Sequence, residues 1–176
     1  MGTNSKIEWT DHTFNPWLGC SKVSPACTNC YAEAWAKRSG LVKWGDGAER
    51  RRTSEANWKE PLKWNEQARR EGVRRRVFCA SLADVFEDRG ELVQWRNDLF
   101  VMIEKTPYLD WLLLTKRPHN VLPKLEAIRK HWLADKLPLF DNIWIGATVE
   151  NQEMADKRIP ELIQIPAAIH FLSCEP

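Results

Sequence analysis

Several things are missing from this 176-residue sequence. No apolar run approaches the roughly 18 residues that a membrane-spanning helix needs. The start, Met1 to Lys6, is polar and lacks the apolar stretch of a secretory signal. An excess of one charge is missing as well: 26 basic side chains stand against 24 acidic ones, a formal net of +2. These absences argue against a membrane helix and lead us to expect a soluble, unexported, cytoplasmic chain. At this length one domain, residues 1–176, is the expectation, and roughly 70% of the unfolded surface can be buried without help from disulfides.

Cysteine and tryptophan, by contrast, are plentiful, with five of the first and ten of the second. Cys20, Cys27 and Cys30 form a C-x6-C-x2-C spacing, while Cys79 and Cys174 stand alone. In a chain with no export signal, clustered thiols bind metal or do redox work more often than they form disulfides. Three thiolates are one fewer than a closed zinc site or a simple electron-carrier cluster uses, so one coordination position is left open. His12 offers an alternative, since it could complete a Cys3His zinc staple with no chemistry of its own. Accidental clustering of structural thiols is a third possibility.

Periodicity divides the chain into short β-rich runs and longer helical patterns. The runs are Lys6–Thr10, Val77–Ser81, Trp111–Thr115, Asn142–Val149 and Ile169–Ser173. Helical spacing covers Tyr31–Arg38, Pro61–Glu71, Leu92–Lys105, Val121–Trp132 and Gln152–Leu162, as in Leu92, Trp95, Leu99, Met102 and Ile103. The central runs are continuously apolar, as parallel strands covered on both faces are. Strict alternation of strand and helix predicts an α/β fold with right-handed crossovers. Five strands cannot close an eight-stranded barrel, so an open, partial barrel or a shortened chain is expected.

Polar residues collect where the strands end: Ser81, Asp84 and Glu87, then Thr115-Lys116-Arg117, Thr148 to Asn151, and Ser173 to Glu175. Ligands of parallel α/β sheets bind at these carboxyl ends, and the cysteine loop follows the first run onto the same mouth. Helix capping and loop solvation are the ordinary alternative for any single position.

Residues 37–76 read as a basic, Trp-rich insert. They carry 13 of the 26 basic residues against six acids, a local net of +7 that leaves −5 for the rest. Such segregation favours a polyanion, and Trp44, Trp58 and Trp64 could stack on bases of a nucleic acid. The alternative is a solvated helix whose tryptophans pack the segment onto the domain.

The motifs Ile7-Glu8-Trp9-Thr10-Asp11, Asn15-Pro16-Trp17 before Gly19-Cys20, and Cys27-x-x-Cys30-Tyr31-Ala32-Glu33 resemble those of a phage-associated three-Cys-motif family of unassigned function, itself similar to radical SAM enzymes. So do Leu113-Leu114-Thr115-Lys116-Arg117-Pro118, Gly146-x-x-Val149-Glu150-Asn151 and Leu172-Ser173-x-Glu175-Pro176. Members look longer than this chain, which reads as truncated after the fifth strand. The resemblance implies a radical SAM-like partial (β/α) barrel with a [4Fe-4S] cluster on Cys20, Cys27 and Cys30. It also implies S-adenosylmethionine at the open iron, cleaved on reduction to a 5′-deoxyadenosyl radical.

The common radical SAM loop has a shorter first gap and an aromatic where Asn29 stands; Tyr31, two places later, is the expected substitute. No Gly-Gly-Glu-like run follows the second strand, where Ser81, Asp84 and Glu87 are the nearest candidates; Ser81, Asp84, Glu150 and Glu175 are the candidate cofactor contacts. Lys116 and Arg117 are candidates for an anionic group of the substrate, which would be a nucleic acid, a nucleoside or a partner protein. A methyltransferase-like protein is the partner that the resemblance implies. The competing expectations are a zinc-stapled nucleic-acid-binding module and a shortened, inactive relative.

Overall fold

The computed structural model describes residues 2–3, 5–132 and 141–174. Its elements in chain order are β1 (Gly2–Thr3), β2 (His12–Thr13), β3 (Trp17–Leu18), α1 (Tyr31–Ser39), β4 (Arg51–Arg52), α2 (Glu55–Glu71) and β5 (Arg75–Cys79). They continue with α3 (Leu92–Glu104), β6 (Leu109–Thr115), α4 (Val121–Trp132), β7 (Ile143–Val149), α5 (Gln152–Leu162) and β8 (Ile169–Cys174). Six strands form one sheet in the order β1-β2-β5-β6-β7-β8, and β3 pairs with β4 in a separate two-stranded sheet. Only β1 is antiparallel to its neighbour in the large sheet, so β2 and β5–β8 make five parallel strands. Among the described residues the strands follow chain order across the sheet, and no pairing closes it into a barrel.

Register separates the two faces. Val77, Cys79, Trp111, Leu113, Ile143, Ile145 and Ala147 point into the main core, together with Leu99, Ile103 and Leu125 of the helices. The opposite face carries Phe78, Leu112 and Trp144 in one row and Leu114, Gly146 and Phe171 in the next. Close packing of that second row depends on Gly146: a Cβ there would lie 2.3 Å from the Phe171 ring.

The predicted helices and the last four predicted strands are present, with two differences at the start of the chain. Lys6–Thr10 is not a strand; the first parallel strand is the two-residue β2 that follows it. Side chains replace the ladder there. Thr10 Oγ1 accepts from Phe78 N at 3.1 Å, and Asp11 Oδ2 accepts from Arg76 N at 2.7 Å, so the edge of β5 is satisfied without extended pairing. The second difference is α2, which starts at Glu55 instead of Pro61. Ser54 caps it by accepting from Asn57 N at 3.3 Å.

That helix forms the crossover between β2 and β5, and its apolar face explains two tryptophans. Trp58 and Trp64 are both buried, Trp58 edge-on to Phe14 at 5.4 Å and Trp64 stacked on His12 at 4.4 Å. They pack the segment onto the sheet and offer no face to bases. The strand just before α2, β4, pairs with β3 and so braces the residues leading into Cys20.

Candidate functional site

The cysteine loop leaves β3 through Gly19, whose φ of +105° is open to glycine and strained for other residues. Space is also short, because a Cβ on Gly19 would lie 2.9 Å from Arg50 Cδ. Backbone bonds fix both flanks: Gly19 N donates to Leu82 O at 3.0 Å, and Gly45 N donates to Cys20 O at 3.1 Å. A single 3-10 turn, Pro25–Cys27, then carries the chain to Cys30, which caps the N-terminus of α1. Cys30 therefore sits at the positive pole of the α1 dipole. Tyr31 anchors the far side by donating its hydroxyl to Ser81 O at 2.6 Å.

Cys20, Cys27 and Cys30 line one cavity of about 430 Å³. The carboxyl ends of the parallel strands supply the opposite wall, through Ser81, Thr115, Lys116, Thr148 and Ser173. Phe78, Leu114, Tyr31 and Trp44 add apolar and aromatic surface. Among the described residues, no group of three or more His, Cys, Asp and Glu side chains converges on a point where one metal ion could sit.

Beneath the loop lies a buried network of charges. Arg117 Nη1 donates to Asp84 Oδ2 at 2.8 Å and to Cys20 Sγ at 3.5 Å, while Nη2 donates to Ser21 O and Ser21 Oγ at 2.9 and 3.0 Å. Asp84 also accepts from Thr115 Oγ1 at 2.8 Å, from Phe86 N at 2.9 Å and from Lys116 N at 3.2 Å. Arg50 and Glu87 form a second buried pair, and Ser21 Oγ donates to Glu87 Oε1 as well.

Burial acts on the titration of Cys20 and Glu87 with different outcomes. It pushes the Cys20 thiol up to about 12, with the Asp84 carboxylate acting the same way and Arg117 opposing. Burial would also raise the Glu87 carboxyl, but hydrogen bonds from Arg50 and Ser21 and the charges of Arg50 and Arg117 outweigh it and hold the group below its ordinary value.

The candidates from sequence divide accordingly. Ser81, Asp84 and Lys116 line the cavity with the three thiols. Arg117 also reaches it but is buried, with its guanidinium committed to Asp84, Ser21 and Cys20, so it is not free to hold a substrate anion. Glu150 is not among the lining residues; it is buried against Arg158, whose Nη1 lies 2.6 Å from Oε2. Glu175 lies outside the described residues. His12, the fourth zinc ligand considered above, lines a different cavity under α2 that contains none of the cysteines.

The basic segment is less available than its charge count implies. Lys37, Arg50, Arg52, Lys63, Arg69, Arg70, Arg74 and Arg75 all stand in ion pairs with acids of the same chain. Arg50 was not singled out by its sequence context, because a run of three arginines reads as solvated surface. Its only distinguishing signal is its position between Gly45 and the Arg51-Arg52 strand.

No curated protein and no solved structure matches this chain. A family profile described as Protein of unknown function (DUF5131) matches residues 4–176, nearly the whole length, and the chain belongs to that family.

Proposed function

We propose that the chain is a radical SAM-like iron–sulfur enzyme on a partial (β/α) barrel, as the resemblance of its motifs to three-Cys-motif proteins suggests. The observation that carries this reading is the shared cavity of Cys20, Cys27 and Cys30 at the carboxyl ends of parallel strands, with His12 in another cavity. A tetrahedral zinc ion draws its donors onto a single point, whereas a cubane cluster takes each thiolate on a separate iron. Among the described residues no group of three or more His, Cys, Asp and Glu side chains is arranged to hold a metal ion, so the preference for a cluster over zinc rests on the three-thiolate donor set, the separate cavity of His12 and the resemblance of the motifs.

Sequential strand order supports the barrel reading. With right-handed crossovers, a sheet that never reverses direction keeps its crossover helices on one face and leaves the other for a ligand. The cavity wall includes Phe78 and Leu114, both on the face opposite the main core.

In this reading Cys20, Cys27 and Cys30 would hold a [4Fe-4S] cluster that, with S-adenosylmethionine bound, supplies one-electron reductive cleavage of the sulfonium. Tyr31, Trp44 and Phe78 provide flat aromatic surface that suits a purine. Ser81 and Lys116 offer polar atoms to a bound amino acid moiety. Asp84 acts through Arg117 and Thr115, which makes it a positioning residue.

The test is electron paramagnetic resonance of the anaerobically reconstituted, dithionite-reduced protein, with and without S-adenosylmethionine. A cluster signal that changes shape on adding the nucleoside, and that is lost in Cys30→Ala, is the expected result. A cluster signal indifferent to S-adenosylmethionine would overturn the cofactor assignment.

A further inference from the structure

The hydrogen bond from Arg117 to Cys20 has a consequence for any electron placed at this site. We infer that Arg117 is a positioning residue that sets the reduction potential of a cluster held by Cys20, by donating a buried, charged hydrogen bond to that ligand sulfur. The inference rests on the cluster reading above and deepens it.

Arg117 Nη1 lies 3.5 Å from Cys20 Sγ, and the side chain is nearly out of solvent. In such a medium the bond is electrostatically stronger than it would be in water. Hydrogen bonds to ligand sulfur and local charge are two of the levers that set cluster potentials.

The direction follows from the charge balance. Three buried cations, Arg117, Arg50 and Arg96, stand around two buried carboxylates, Asp84 and Glu87, and of the three it is Arg117 that reaches the Cys20 sulfur. Reduction adds one electron to the cluster, and the positive groups favour the reduced form. Removing Arg117 takes away the cation that touches the ligand sulfur and leaves the Asp84 carboxylate without its ion-pair partner, so the reduced form loses support and the potential falls.

The same guanidinium also holds Asp84 and both oxygens of Ser21, which fixes its fork. Lysine keeps the charge but cannot make all of these contacts from one planar group. Potentials should therefore rank parent, then Arg117→Lys, then Arg117→Gln.

The experiment is a dithionite titration of the anaerobically reconstituted protein, followed by electron paramagnetic resonance, in the parent and both variants with iron content measured in each. At a fixed potential the oxidised-to-reduced ratio is expected to rise at least about tenfold in Arg117→Gln, which is ~59 mV for a one-electron couple. An unchanged midpoint in iron-loaded Arg117→Gln overturns the inference and leaves the cluster reading intact. A parent that takes up no iron overturns the cluster reading itself.

A second measurement needs no variant and covers the case in which the substituted chains do not fold. Parent protein labelled with 15N-arginine and reduced should show a nitrogen hyperfine coupling in pulsed electron paramagnetic resonance. A reduced cluster without that coupling contradicts a guanidinium bonded to its ligand sulfur.

Discussion

Arg50 and Glu87, 37 positions apart in the sequence, form a two-pronged ion pair from which solvent is almost wholly excluded. Nε meets Oε2 and Nη2 meets Oε1, both at 2.7 Å. Removing one partner of such a pair strands the other charge in a poorly solvating interior, which costs about 3–5 kcal/mol. Arg50→Ala is therefore expected to lower the denaturant midpoint by an amount of that order. Arg51→Ala, whose side chain is exposed and bonds Leu41 O, should change it by less than about 1 kcal/mol. Equal losses in the two variants would contradict the buried pair.

The Glu87 carboxyl has a folded value below its ordinary one, because Arg50 and Ser21 outweigh the effect of burial. A depressed carboxylate contributes stability above its unfolded value, and that stability is lost as pH falls through the lower folded value. Stability of the parent should therefore drop on acidification below about pH 4.5. Glu87→Gln should be less stable than the parent at neutral pH and flatter through the acid window. Parallel pH–stability curves for the two proteins would show that Glu87 is not held ionised by this network.

Much of the fold was legible because its signals are local. Uninterrupted apolar runs such as Trp111-Leu112-Leu113-Leu114 marked β6, and the spacing of Leu92, Leu99 and Ile103 marked α3, all seven buried or half-buried as expected. The first strand was misplaced because Thr10 and Asp11 satisfy the neighbouring backbone with side chains, which no strand pattern records. At the site, the three thiols and the strand-end residues were visible from spacing alone. The roles of Arg117 and Arg50 were not, since their partners lie 97 and 37 positions away and depend on which loops meet.

Packing on the second face of the sheet gives a sharp test at Gly146. A methyl group there would lie 2.3 to 2.6 Å from three atoms of the Phe171 ring, so that ring must move. Overpacking of this kind costs about 1–3 kcal/mol. Gly146→Ala should be destabilised by that amount, and adding Phe171→Leu should recover part of the loss. In a double-mutant cycle the coupling should be about 0.5–3 kcal/mol, as for residues in contact, whereas strict additivity would separate the two side chains.

Thiol reactivity distinguishes the cysteines in the metal-free protein. Cys174 is exposed, Cys79 is fully buried with its thiol raised by desolvation, and Cys20 is pushed up to about 12. The thiolate is the species that reacts. Mild alkylation near pH 8, read by peptide mass spectrometry, should label Cys174 first and leave Cys79 and Cys20 largely unmodified. Labelling of Cys20 should increase as pH rises toward 12, provided the fold persists. Early labelling of Cys79 would contradict its place in the core.

The most direct measurement is metal and sulfide content per chain after anaerobic reconstitution, for the parent and for Cys20→Ala, Cys27→Ala and Cys30→Ala, with His12→Ala as a control. About four irons with matching sulfide are expected in the parent. Each cysteine variant should lose them and His12→Ala should retain them. A colourless parent holding one tight zinc, released by His12→Ala, would contradict the cluster at Cys20, Cys27 and Cys30.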